Sequence, residues 1–154
     1  MELTIAPNGV LQIDDARLTY RNFAGVGGPF NKEGERNFHL IIPTLEMAEA
    51  LKAEGWNVKI KPARDEYEEP FITLKVKVVF NDFGPNVYLR SGNAGNKLNE
   101  DSIGVLDRAR FTRVDLDIRP YDWEMNGKTG RTAYLQSLDA EQAVYDRFAE
   151  RYAD

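Results

Sequence analysis

Cations and aromatic rings recur side by side along this chain, at spacings that would let them act together. Arg21 and Phe23 stand two residues apart. Phe30 and Lys32 follow in a glycine-rich stretch, and Arg36 and Phe38 come soon after. Tyr88 neighbours Arg90. Arg119, Tyr121 and Trp123 occupy every second position of one run, with Lys128 and Arg131 just beyond it. Residues two apart on a strand face the same way, so each set would present charge and ring together. Unpaired nucleic acid is held by that combination. Cations neutralise phosphates, and planar rings stack on bases of any identity at about 1–3 kcal/mol each. Against this stands the ordinary role of each residue alone: a ring packs in a core and a cation meets water. Lys59/Lys61 and Lys75/Lys77 have no aromatic neighbour in the sequence and read as plain surface charge.

Other chemistries find little support. The chain has no cysteine, so disulfides, thiol nucleophiles and thiolate metal sites are excluded, and His39 is its one histidine. Gly25-Val26-Gly27-Gly28 runs into Pro29 and not into a helix, unlike a dinucleotide-binding turn. No phosphate-cradling loop or serine elbow occurs. Asp14/Asp15 and Asp115/Asp117 are acid pairs at a spacing that could serve a divalent cation, and a metal-dependent nuclease is the corresponding alternative. Exposed strands alternate acids and bases far more often for solubility, so no catalytic residue, metal or cofactor is expected.

The 154 residues suit one domain, and the net charge of −5 is uneven. The last sixteen residues hold five acids against two arginines, which leaves the rest at −2. Acids also gather at Glu46, Glu49 and Glu54 and again from Asp65 to Glu69. Net acidity does not exclude an anionic ligand, because local potential steers it. No apolar run is long enough for a membrane span and the first ten residues lack the look of a signal peptide, so a cytoplasmic protein is expected.

The elements that would position these residues are mostly strands. Period-two alternation marks 16–23, 36–42, 56–61, 71–80, 87–90, 111–125 and 129–138. Asn126-Gly127 predicts a tight hairpin between the last two. The first two strands would be joined by a long, mobile loop. The spacing predicts one helix over 45–54, capped by Thr44, and a helical turn or two in 102–110. The fold class is mainly β, an OB-fold-like antiparallel barrel with long hairpin loops and one inserted helix, over residues 1–138. Residues 139–154 would be an acidic C-terminal tail or helix. An exposed edge strand would permit a homodimer.

Several segments together resemble a known family. Arg21-Asn22-Phe23-Ala24-Gly25, followed by Phe30-Asn31-Lys32-Glu33-Gly34-Glu35-Arg36-Asn37-Phe38, is similar to the opening of bacteriophage single-stranded DNA-binding proteins of OB type. Gly55-Trp56-Asn57-Val58-Lys59, the run Val114 to Trp123, and Asn126-Gly127-Lys128 through Ala133-Tyr134-Leu135 match in the same order. The resemblance implies a non-catalytic protein that coats single-stranded DNA during phage replication and recombination in the infected host's cytoplasm, and engages replication or recombination proteins through its C-terminal segment. The residues themselves place the groove between the Gly25–Gly34 loop and the Asn126–Gly127 hairpin. Arg21, Lys32, Arg36, Arg90, Arg119, Lys128 and Arg131 would meet phosphate, and Phe23, Phe30, Tyr88, Tyr121 and Trp123 would stack. The alternative is a phage-encoded protein–protein interaction module that works through its acidic patches.

Overall fold

Alternating apolar residues carry most of the chain into strands, which a computed structural model describes over residues 1–143 and 151. In chain order these are β1 (Glu2–Ile5), β2 (Leu11–Asp14), β3 (Leu18–Asn22) and β4 (Arg36–Ile41). The helix α1 (Leu45–Ala53) follows, then β5 (Val58–Lys61), β6 (Phe71–Val78), β7 (Asn86–Ser91) and β8 (Ala94–Leu98). A 3-10 turn at Ile103–Asp107 leads to β9 (Phe111–Met125) and β10 (Lys128–Gln142). The Thr44 hydroxyl accepts a hydrogen bond from the Met47 amide and starts α1, which buries Ala48 and Leu51.

The ten described strands form one sheet along the path β1-β2-β9-β10-β6-β4-β3, with β5 beside β6 and β7 between β10 and β8. A strand-rich fold with one helix is what the alternation implies. The sheet, however, stays open and does not close into a barrel. Two pairings are parallel: Ala133–Tyr134 of β10 lies beside Val76–Lys77 of β6, and Ser137–Gln142 lies beside β7. A register shift between Leu135 and Ser137 separates the two stretches, so one edge of β10 serves two partners in turn. The first fourteen residues add a hairpin that the sequence reading missed, with Leu11 and Ile13 turned onto β9. β8 has no apolar alternation and is held by its backbone ladder with β7. β10 runs four residues past the expected boundary at 138. The expected tail or helix beyond it falls mainly outside the described residues.

One irregularity decides which rings enter the core. Tyr20 has φ of +48°, and the β3–β4 register breaks between Thr19 and Asn22. A bulge of this kind reverses side-chain parity beyond it. Tyr20, which a regular strand would set on the face of Ala16 and Leu18, is 65% exposed, while Phe23, expected on the outer face, is fully buried. The Phe23 ring stacks on Phe38 with centroids 5.1 Å apart, in a core shared with Leu40, Ile103, Leu106 and Ile118.

The loop between β3 and β4, expected to be mobile, is braced from both ends. The Asp107 carboxylate accepts the Phe23 and Ala24 amides at 2.6 and 3.1 Å. The Arg36 guanidinium donates to the Phe23 carbonyl at 2.6 Å. Within the loop, Asn31 Nδ2 donates to the carbonyls of Val26, Lys32 and Glu35, and Glu33 accepts the Gly27 amide. The result is a finger with Phe30 at its tip, 98% exposed. Asp107→Ala strands two amides and should cost about 1–3 kcal/mol of stability in urea unfolding. An unchanged midpoint would show that the finger is not anchored there.

Candidate nucleic-acid interface

Each residue facing the core on β9 leaves its neighbours facing out. Val114, Leu116 and Ile118 are buried, so Arg119, Tyr121 and Trp123 emerge on the opposite side. The antiparallel register sets Tyr134 of β10 against Arg119, Thr132 against Tyr121 and Gly130 against Trp123. The parallel pairing continues the same face onto β6, where Lys77 lies beside Tyr134. From β6 it passes to β4, with Asn37 beside Lys77 and His39 beside Lys75. Four strands thus share one outer surface.

That surface is hollowed into two depressions of about 350 and 490 Å³ that have Lys75 and Lys77 in common. The first reaches Gly34 and Arg36 at the finger base and is lined also by Tyr134, Glu35 and Glu100. The second reaches Trp123, Gly130 and Arg131 in the β9–β10 hairpin. Together they make a trough between finger and hairpin. The Arg119 guanidinium lies 4.8 Å from the centre of the Tyr134 ring, and Tyr121 meets the same ring edge-on at 6.0 Å. Among the described residues, Lys75, Lys77, Arg119 and Lys128 take part in no ion pair. Their charge is available to an anion.

The expected site residues divide. Trp123 lines the trough, Arg119 and the 54% exposed Tyr121 stand on the same face against Tyr134 at its edge, and Lys128 sits at the hairpin tip. Phe30 and Lys32 are exposed on the finger. Phe23 is a correction: both faces of its ring are taken by the core. Arg21 is half-buried, donates to the carbonyls of Leu106 and Ala109 at 2.8 and 2.6 Å, and covers the Phe111 ring at 4.8 Å. Arg36 lines the trough but spends Nη1 on the Phe23 carbonyl. Arg131 is bound to Asp122 at 2.7 Å and lies over the Trp56 ring at 5.3 Å. The Asp122 carboxyl is held below its usual range by that hydrogen bond.

Tyr88 and Arg90 are not on the trough. They lie beside the far half of β10, past its register shift, where Tyr88 shares a depression with Asp14, Asp115, Asp117 and Asp139. Arg90 is bound there to Asp139 and Glu141, each at 3.2 Å. Asp115 is itself engaged by Arg113 and the Asp15 amide, and Asp117 by Ser137. Among the described residues no group of three or more acids and histidines is arranged to hold a metal.

The chain matches the model of a family described as "Putative phage ssDNA-binding domain" over residues 4–154. It belongs to that family. A sequence comparison with curated proteins returns no match. Among solved structures, this phage ssDNA-binding domain is similar to the single-stranded DNA-binding protein from bacteriophage Enc34. The form in complex with ssDNA matches with a TM-score of 0.60 at 13% identity, covering 94% of this chain and 93% of that one. Another structure of the Enc34 protein matches with a TM-score of 0.57 at 14% identity, covering 99% and 100%. At such identity the likeness is one of fold.

Sequence reasoning missed Lys75, Lys77 and Tyr134 on the trough of this domain. The parallel β10–β6 pairing supplies the lysines with their aromatic neighbour, and no local pattern announces that pairing. Gly130 was also silent. A Cβ there would stand 2.3 Å from Trp123 Cζ2, so the glycine is the space in which the indole lies. Gly130→Ala should lift Trp123, 39% exposed in the native domain, into water and shift tryptophan emission to the red while Trp56 stays buried. An unchanged spectrum would contradict this packing.

Proposed function

We propose that this domain binds single-stranded DNA in the trough between the finger and the β9–β10 hairpin, without catalysis, and coats exposed strands during phage replication or recombination in the host cytoplasm. The observation that carries the reading is the convergence of Trp123, Tyr121, Tyr134, Arg119, Lys75 and Lys77 on one open face. Rings there are partly exposed and cations unanswered, the two properties that stacking and phosphate neutralisation require. An open sheet face admits a flexible strand whose bases are splayed, whereas a duplex keeps its bases stacked inside. The finger adds Phe30 and Lys32 at one side, and Lys128 adds charge at the other.

In this reading the rest of the surface rejects DNA. The outer face of β9 and β10 turns acidic from about 7 Å beyond Arg119, at roughly 3.3 Å per strand residue. Asp115, Asp117 and Asp139 stand there. Tyr88 and Arg90 then have no part in binding, and Arg131 acts on the hairpin through Asp122 and Trp56.

Oligo(dT) should quench the fluorescence of Trp123, and Trp123→Ala should weaken binding by about 1–3 kcal/mol. The double variant Lys75→Gln/Lys77→Gln should lower the slope of log affinity against log salt by about 0.7 per lost phosphate contact. Arg90→Ala should leave affinity and slope unchanged. A normal slope in the lysine variant together with a loss in Arg90→Ala would move the site to the far end of β10.

A further inference from the structure

Beyond Lys75 the outer face does not end. His39, beside Lys75 in the β4–β6 ladder, meets Tyr20 edge-on at 5.1 Å, and Tyr20 meets Phe71 edge-on at 6.2 Å. Burial and the neighbouring Lys75 charge push the His39 pKa below its ordinary value, so the imidazole is neutral at neutral pH. Its Nδ1 lies 3.3 Å from the Thr73 hydroxyl. On the other edge of β6, Lys61 stands directly opposite Phe71, and Lys59 opposite Thr73. Paired residues on adjacent strands share a face. Tyr20, His39, Phe71, Lys59 and Lys61 therefore form a second group of rings and cations, continuous with the trough through Lys75.

Three features set this group apart from incidental surface. Tyr20 is 65% exposed and Phe71 36%, although both are large apolar rings. Lys59 and Lys61 take part in no ion pair among the described residues, whereas Arg64 nearby is answered by Glu68 at 3.7 Å. Tyr20 also owes its direction to the bulge, with a left-handed backbone that a bulky residue adopts only where the surroundings impose it. A regular strand would have turned this ring into the core and kept Phe23 outside. Glu68 and Glu69 line the hollow of about 260 Å³ next to Tyr20 and Phe71 and would mark where a polyanion stops.

We infer that Tyr20, Phe71 and His39, with Lys59 and Lys61, form a second base-stacking platform that extends the single-stranded DNA path from the trough across β6, β4 and β5. This extension rests on the reading of the trough as the DNA site. A short strand fills the trough alone, and a longer one leaves Lys75 to lie over Tyr20 and Phe71, its phosphates beside Lys59 and Lys61. The binding site then has two parts that differ in the length of strand they need.

The test uses the full chain and oligothymidylates of about 6 and about 16 nucleotides, within the range seen for single folds of this kind. Trp123 quenching reads the trough in both cases. Tyr20→Gly removes the ring and suits the left-handed backbone, so the fold is spared. It should weaken binding of the long strand roughly fivefold or more and leave the short strand unchanged. Lys59→Gln/Lys61→Gln, which removes charge from two exposed side chains and leaves every ring in place, should lower the salt slope for the long strand only. Equal affinity of both variants and the native chain for the long strand would overturn the second platform. So would an equal loss on short and long strands. Failure of the native chain to bind either strand would instead overturn the trough reading, and the platform with it.

Discussion

Pairing of Phe111–Met125 with Lys128–Gln142 commits alternate residues of two fifteen-residue strands to opposite sides, and the rest of the molecule follows from that commitment. The inner set, Val114, Leu116, Ile118, Ala133, Leu135, Leu138 and Ala140, is buried and supplies the floor of the core. The outer set needs no core role and is free to carry chemistry. Asn126 and Gly127, with φ of +52° and +80°, close the ribbon in the twist that a two-residue hairpin demands. The ribbon can therefore be long, one end in the core and the other projecting beside the trough. The interaction of Asp122, Arg131 and Trp56 ties that projecting end back to the corner after α1.

Charge is sorted along the same ribbon. Acids gather where β10 lies beside β7, and cations and rings where it lies beside β6. A chain of net charge −5 thus offers a local surface of opposite sign. Such a surface steers an anionic ligand by local potential, while the acidic remainder limits unspecific contact. The rings on the trough touch one another and the cations around them: Arg119 on Tyr134, Tyr134 on Tyr121. These contacts hold the rings in place, so a base stacking on them as proposed would cost less side-chain freedom.

Much of the fold was legible because its signals are local. The alternation of 111–125 and 71–80, the Asn126-Gly127 turn and the Thr44 cap each depend on residues within a few positions, and each appears, the second strand ending at Val78. What was illegible depends on partners far away in sequence. The bulge at Tyr20 reversed the faces of Tyr20 and Phe23, since nothing near them announces a register break. Lys75 and Lys77 seemed to lack aromatic company because Tyr134 and His39 reach them only through strand pairing. Tyr88 and Arg90 had the right spacing in the wrong place, for the register shift in β10 sends them to the acidic end.

The central claim is that single-stranded DNA lies on the outer face shared by β9, β10 and β6. Photo-cross-linking with an oligonucleotide carrying 5-iododeoxyuridine, followed by peptide mass spectrometry, tests it most directly. The account predicts adducts at Tyr121, Trp123 and Tyr134. Adducts confined to Tyr88 and its neighbours at the acidic end, with none on those three rings, would contradict it.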